Sequence, residues 1–370
     1  MIDPILQWTR SKQNEFIAFL RELVECESPS DDPAAIDRWT DLFAARAGDL
    51  GPMRKLPGGH LQCEINGGDK QILVLGHSDT VYPLGTQMPF VEKDGRIHGP
   101  GVLDMKGGIA IFVYAVRALR ELGIPMKRKL LLQLNSDEEI GSPSSRALTE
   151  EEARKSVAVL VLEPGAGLDG KAKTARKGVG DYTVMVRGKS AHAGLDFTSG
   201  ASAILELARQ INAIAGFTDL DHGLTVNPGV IRGGTRSNVV AESAEVEVDF
   251  RIAKLEDAAS LDAKFRSLQP FDARCRIEVT GGLNRPPLER TEHVVRLYET
   301  ANRLAEELGT ELGETSVGGG SDGNFTAGLG IPTLDGIGVV GDGAHSPGEF
   351  IFADRIADRA ALLAKLITTI

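Results

Sequence analysis

Residues 134–142, LNSDEEIGS, set three acids side by side after the apolar run KLLLQL, where a buried strand should end. Carboxylates crowded into a poorly solvated bend repel one another and call for a neutralising partner. Other reactive residues close apolar runs in the same way. His77 and Asp79 follow QILVLG, Glu163 follows SVAVLVL, His345 lies beyond IPTLDGIGVV, and Asp104 sits in GPGVLDMKGG just before an apolar helix. In open α/β sheets ligands gather beyond the carboxyl ends of the strands, so all five places are expected on one edge of the sheet.

Two histidines and several carboxylates suit a borderline or hard divalent ion rather than a thiolate site. Charge arithmetic points to two ions, because Asp104, Glu139, Glu163 and one hydroxide together neutralise two Zn²⁺; Co²⁺ or Mn²⁺ would suit the same ligands to some degree. A bridging carboxylate is needed to hold two ions about 3.5–4 Å apart. Asp104, between two glycine pairs, is the natural bridge. The side chains of adjacent Glu138 and Glu139 diverge, so Glu139 reads as a ligand and Glu138 as a general base facing the water. Asp79, two residues after His77, can reach the second nitrogen of that imidazole and fix its tautomer. Asp137 reads as a solvated or bend-capping acid.

The elements that must position these residues come in two sets. Helical spacing covers SKQNEFIAFLRELVEC and PAAIDRWTDLFAARA. Short apolar runs at 71–75, 130–134 and 156–162 then alternate with helices over IAIFVYAVRALRELG and near SRALTEEEARK. That alternation predicts an α/β fold, a mixed and largely parallel sheet flanked by helices on both faces. From about residue 177 the order changes to strand DYTVMVRG, helix SAILELARQINAIAG, strands LTVNPGVIRG and SAEVEVDFRI, helix EDAASLDAKFRSL and strand RCRIEVTG. This is βαββαβ, the ferredoxin-like unit. A helix over HVVRLYETANRLAEELG, a strand over IPTLDGIGVV and a final helix over ADRIADRAALLAKLITTI return to the first domain. The catalytic domain is thus expected to hold residues 1–176 and 283–370, with 177–282 inserted.

Composition excludes several classes of function. The chain has 370 residues, enough for two domains, and a net charge of −11 with no basic block, which excludes attraction to nucleic acid or to an anionic membrane surface. No exported-type leader and no apolar run near 18 residues is visible, so a cytoplasmic protein is expected. Cys26, Cys63 and Cys275 are odd in number and scattered, which argues against a disulfide framework and a thiolate zinc site.

HSDTV, GPGVLDMKGG, SDEEIGS, LEP, GKSAHAG, GGTRSNVV and GGGSDG…GAHS, in that order and spacing, resemble the di-zinc aminoacylase, deacetylase and carboxypeptidase superfamily, most of all its glutamate carboxypeptidase (carboxypeptidase G) branch. The resemblance covers nearly the whole chain. It implies that His77 and Glu163 are terminal ligands of one zinc, that Glu139 and His345 are those of the other, and that Asp104 bridges. Glu138 would be the acid/base, Asp79 the orienting partner, and the Asp104–Met105 peptide cis. The inserted unit would be a lid and dimerisation domain. His192 and Asn238 match residues that reach a neighbouring active site across a homodimer and stabilise a tetrahedral oxyanion.

Arg285 in NRPP matches an arginine that holds the substrate's free carboxylate, and the loop of residues 318–323, Gly320 included, could lend backbone N–H donors. Arg251 reads either as a second anion contact or as a structural ion pair. His98 reads as packing or lining the pocket, and His60, His222 and His293 as surface or cap residues. The expected activity is metal-dependent release of a C-terminal, glutamate-like amino acid from a peptide or N-acyl amino acid. Deacylation of N-acetyl or N-succinyl amino acids is the alternative. An aminopeptidase would need an acid for the substrate amine, for which no clear candidate stands out. A non-catalytic metal-binding relative would be expected to lose the base or a ligand, and every such position is present here.

Overall fold

Two helices show how short sequence signals set element boundaries in the computed structural model, which describes residues 2–66, 68 and 70–370. Helix α1 (Pro4–Ser11) starts at a proline whose preceding Asp3 accepts the N–H groups of Ile5 and Leu6. It is followed by α2 (Gln13–Glu25) and by α3 (Pro33–Ala47), which starts the same way with Asp32 accepting from Ala35 N–H. An acceptor side chain at the cap and proline in the first turn satisfy donors that have no partner inside the helix. Helix α1 is an addition to the expected elements; its eight residues are too few for periodicity to reveal.

The larger unit comprises Met1–Ala175, Leu288–Val317 and Ser321–Ile370. Its first part continues with β1 (Met53–Lys55), β2 (Leu61–Ile65), β3 (Gln71–His77), β4 (Val91–Lys93), β5 (Arg96–His98) and α4 (Gly107–Glu121). Strands β6 (Lys129–Asn135), β7 (Ser156–Val161) and β8 (Ala172–Arg176) follow, with α5 (Arg146–Arg154) before β7.

The smaller unit, Arg176–Pro287 with Gly318–Gly320, holds β9 (Gly178–Arg187), α6 (Ala203–Ala215), β10 (Thr225–Gly233), β11 (Ser243–Ile252), α7 (Glu256–Arg266) and β12 (Arg276–Arg285). Its sheet runs in the order β10-β11-β9-β12 and is antiparallel throughout. That is the ferredoxin-like arrangement, with the first and third strands central. Inward residues alternate along β9 (Tyr182, Val184, Val186) and β11 (Val246, Val248, Phe250), and α6 and α7 cover them with Leu207, Ile214, Leu261 and Phe265. The last strand runs to Arg285, and the unit extends to Pro287, past the expected limit at residue 282.

The chain returns through α8 (Glu292–Glu307), β13 (Glu314–Val317), α9 (Gly323–Gly328), β14 (Thr333–Leu334), β15 (Gly341–Asp342), β16 (Phe350–Phe352) and α10 (Ile356–Thr369). The main sheet has the order β1-β2-β6-β3-β7-β14. Strands β6, β3, β7 and β14 are parallel to one another, while β1 and β2 form an antiparallel edge. Every residue of β3 is buried, as a strand covered on both faces requires. Ile72 and Val74 join the core beneath α4 and α10, whereas Leu73 and Leu75 face the opposite cluster with Ala153 of α5.

The strand expected over 331–340 is a correction. Only Thr333 and Leu334 pair in the main sheet. At Gly338 the chain passes so close to β7 that a Cβ would lie 2.1 Å from the Leu162 carbonyl oxygen, and β15 then joins β16, β5 and β4 in a separate antiparallel sheet. Among the described residues, no helix is long and apolar enough to cross a membrane.

Candidate active site

The parallel strands carry the reactive residues to one edge. Pairing of His77 with Asn135 and of Leu75 with Val161 keeps the carboxyl ends of β3, β6 and β7 level, so His77, the 137–139 bend and Glu163 emerge together. The turn before α4 brings Asp104 among them. At Gly108, two residues into that helix-bearing segment, a side chain has no room: a Cβ would lie 2.0 Å from Leu162 O.

The five sequence-predicted ligands converge. His77 Nε2 lies 3.1 Å from Asp104 Oδ1 and 3.6 Å from Glu163 Oε1. His345 Nε2 lies 3.3 Å from Asp104 Oδ2 and 3.2 Å from Glu139 Oε2. Each imidazole therefore faces its own oxygen of one shared carboxylate and has its own glutamate. The Asp104–Met105 peptide is cis.

These residues fit divalent metal. Donor atoms of His77, Asp104 and Glu139 all lie within 4.8 Å of one another. Glu139 Oε1 is buried with no hydrogen-bond partner among the described residues, a vacancy that a cation would fill. Burial pushes the Glu139 carboxyl up. His345 is raised to about 10 because the carboxylates of Asp104 and Glu139 accept its N–H. Burial opposes the charge on His77, yet Asp104, Asp79 and Glu163 together hold its imidazolium well above the usual range.

Asp79 does more than sequence reasoning assigned to it. The ring Nδ1 of His77 lies 3.0 Å from the Asp79 backbone carbonyl and 3.4 Å from its carboxylate. The carboxylate itself accepts the N–H groups of Glu138 (3.3 Å) and Glu139 (3.2 Å) and the Ser30 hydroxyl (2.7 Å). One residue thus orients both the histidine and the two-glutamate bend. Asp137 is buried and caps that bend, its Oδ2 accepting from Ser144 N–H, Ser144 Oγ and Ser145 N–H.

His60 corrects the expectation of a surface or cap residue. It is fully buried, accepts Ser136 N–H on Nδ1 and meets Ser144 Oγ with Nε2. His98 packs against Phe350 as expected.

Residues of the smaller unit are placed as follows. His192 is exposed, and its Nδ1 accepts the N–H groups of Gly194 and Leu195, both at 3.1 Å. The neutral ring must then carry its proton on Nε2, which makes that nitrogen a donor. Asn238 lies on the neighbouring segment, its carbonyl accepting Ala193 N–H. Arg285 is buried at the end of β12 opposite Val179. Arg251 forms a two-point ion pair with Asp249 at 2.8 and 3.0 Å. The carbonyls of Gly319 and Gly320 both accept from Arg176.

Three residues escaped sequence reasoning. Lys173 Nζ lies 3.7 Å from Glu163 Oε2. Lys106 is buried behind Asp104, donates to the Cys26 carbonyl, and is pushed down to about 8 by burial. Glu349 is buried and accepts backbone N–H groups from the Asp104 loop. The position of Glu349, four residues after His345 in a glycine-rich turn, was the one available signal.

A fold with a largely parallel sheet, a strand-edge cluster of two histidines and three carboxylates, and an inserted ferredoxin-like unit defines a class of metal-dependent hydrolases. Residues 73–369 match the model of peptidase family M20/M25/M40, and the chain belongs to that family. It is 30% identical to carboxypeptidase G2 of Pseudomonas sp. (strain RS-16), covering 98% of this chain and 91% of that one. It is 28% identical to an acetylornithine deacetylase of Myxococcus xanthus over 81% of this chain and 80% of the relative. Aminopeptidase PepT from Bacillus cereus ATCC 10987 superposes with a TM-score of 0.79 at 25% identity, covering 99% of this chain and 98% of that structure.

Proposed function

We propose that this protein is a two-metal carboxypeptidase that releases a glutamate-like C-terminal amino acid from a peptide or N-acyl amino acid. The observation that carries the two-metal part of the reading is the symmetry about Asp104, in which each carboxylate oxygen faces one imidazole with its own glutamate; the carboxypeptidase part rests on the likeness to carboxypeptidase G2. His77 and Glu163 would hold one ion and Glu139 and His345 the other, with Asp104 shared; imidazole plus carboxylate favours zinc, and cobalt or manganese could replace it. When bound, such ions polarise a carbonyl and bring the pKa of water from 15.7 toward about 7.

The chain's own residues do the rest. Glu138, whose backbone Asp79 holds in place, takes the proton of the attacking water and delivers it to the leaving nitrogen. His192 of the partner subunit, with Nε2–H as donor, stabilises the oxyanion together with Asn238. Arg285 takes the free carboxylate of the substrate, with Gly320 of the glycine loop and Arg251 as further contacts. A homodimer through the smaller unit is part of the proposal. Its support is β10, an edge strand with exposed Val230 and Ile231, and the exposed Ile204 and Leu205 of α6. The three free cysteines fit a reducing, cytoplasmic compartment.

N-acyl amino acid deacylation is the second reading, favoured by the match to acetylornithine deacetylase. Amino-acid release from a paired panel separates the two: benzoyl- and folate-type glutamates and blocked dipeptides against N-acetyl-ornithine, N-acetyl-glutamate and N-succinyl-diaminopimelate, all with zinc or cobalt added. Preference for bulky N-blocked substrates, lost in Arg285→Ala, is the expected result. Turnover of the small N-acyl substrates alone would move the protein to the deacylases, and silence across the panel would overturn the hydrolase reading.

A further inference from the structure

The five ligands and the base leave one buried acid of the site without a role. Glu349 is fully buried behind Asp104. Its Oε1 accepts the N–H groups of Leu103 at 2.7 Å and Asp104 at 3.0 Å. Its Oε2 accepts Gly101 N–H at 3.0 Å and the Tyr82 hydroxyl at 2.6 Å. The same phenol oxygen lies 3.0 Å from the carbonyl of Ser346. The turn that carries His345 is closed by two backbone bonds, Ser346 N–H to Gly343 O and Glu349 N–H to Ser346 O. Three segments therefore meet at one side chain: the chain leaving β3 five residues after His77, the loop that delivers Asp104, and the turn that delivers His345.

Burial pushes the Glu349 carboxyl up, and the bonds from Tyr82 and three backbone N–H groups offset that cost for the ionised form. Four donors converge on two oxygens, and a carboxylate is the side chain that only accepts. Bonds from backbone N–H to such an anion are stronger than neutral ones. Glutamine would aim an NH₂ at backbone N–H groups. A buried charge is costly unless fully bonded, a cost that mere space-filling does not explain. The groups it holds are the backbone of Asp104 itself and of the residues just before it, so a shift of Glu349 moves the shared carboxylate relative to both imidazoles.

We infer that Glu349 and Tyr82 form a hydrogen-bonded clasp that sets the placement of Asp104 against His345, which makes Glu349 a positioning residue for the metal site. The inference rests on the metal-hydrolase reading above. Its test is the affinity for Co²⁺, by chelator competition, and the visible absorption spectrum of the Co²⁺-loaded protein, for wild type, Glu349→Gln and Tyr82→Phe. Partners behind metal ligands typically change affinity or activity by about 10–100-fold. Glu349→Gln is expected to weaken Co²⁺ in that range and to shift the absorption bands. Tyr82→Phe, which keeps the N–H contacts and deletes one hydrogen bond, is expected to weaken it by roughly 2- to 10-fold. Wild-type affinity and spectrum in a folded Glu349→Gln would overturn the clasp. If that variant does not fold, an unchanged affinity and spectrum in Tyr82→Phe overturns it equally. Failure of the hydrolase reading shows separately, as wild type that takes up Co²⁺ but releases no amino acid.

Discussion

The two halves of the site share Asp104 and are otherwise built differently. His77 is 2% exposed, its second nitrogen held by Asp79, and its glutamate, Glu163, already has the Lys173 ammonium 3.7 Å away. The His345 side chain is 51% exposed and its residue sits at φ +60, a left-handed conformation unusual outside glycine. Its glutamate, Glu139, keeps a buried oxygen without a partner among the described residues. One half is preorganised and partly charge-compensated; the other is open and has unmet demand for positive charge. In the buried half preorganisation favours tight binding and the neighbouring cation opposes it, whereas in the open half ordering His345 is the cost, so two ions bound as proposed would be held against different penalties.

Removing what the halves share is the strongest way to break the comparison. Asp104→Asn, which takes away the negative charge both imidazoles face, should lower turnover to below about 10⁻³ of wild type and abolish the second equivalent in a zinc titration. Retention of two equivalents would show that the halves do not depend on a common bridge. Glu138→Gln should act on neither half. Both ions should remain while kcat falls by about 10²–10⁴, the usual contribution of a general acid–base. Loss of metal in that variant would make Glu138 a ligand and dissolve the division of labour between the adjacent glutamates.

What was readable in the sequence follows from where each residue sits. His77 ends an apolar strand, and Glu139 and Glu163 follow the ends of two others closely, so their edge placement follows from the parallel sheet; Asp104 and His345 stand in glycine-rich loops beside it. The units are legible for the same reason, because periodicity survives in β9, β11, α6 and α8, all of ten or more residues. Strands β14 and β15, with two residues each, carry no pattern. Glu349, Lys106 and Lys173 act on backbone groups or side chains from distant segments, and only the folded chain shows which donor lies opposite which acceptor. Asp79 was half legible: its spacing from His77 pointed to the imidazole, but nothing in the sequence pointed to its hold on the Glu138–Glu139 backbone.

Proton occupancy sharpens the contrast in the metal-free protein. There His345 is raised to about 10 by Asp104 and Glu139, so its pairing stabilises the fold below the unfolded value near 6.5 and is lost as pH rises through about 10. Thermal melts of metal-free wild type should therefore decline over that window more steeply than those of His345→Asn. The metal-loaded protein, whose imidazoles must be neutral to ligate, should lack this difference. Equal pH slopes for wild type and His345→Asn without metal would mean that the exposed half holds no proton, and that its demand for charge is met by solvent.

The smallest effect isolates the cation in the buried half. Lys173→Met keeps most of the aliphatic packing against Gly336 and deletes the charge near Glu163. Two unit charges about 4 Å apart interact by about 4 kcal/mol at an effective dielectric of 20, enough to matter after solvent screening. In the metal-free protein the substitution leaves Glu163 with less positive charge nearby, so the melting temperature should fall. In the zinc-loaded protein the ion takes over that role and no longer faces a neighbouring ammonium, so the melting temperature should recover to wild type or above. Calorimetric titration should show the weaker or stronger of the two equivalents tightened by roughly 10-fold while the other changes by less than about 3-fold. An equal fall in stability with and without zinc would assign Lys173 to packing alone, and the two halves would then differ in exposure but not in charge.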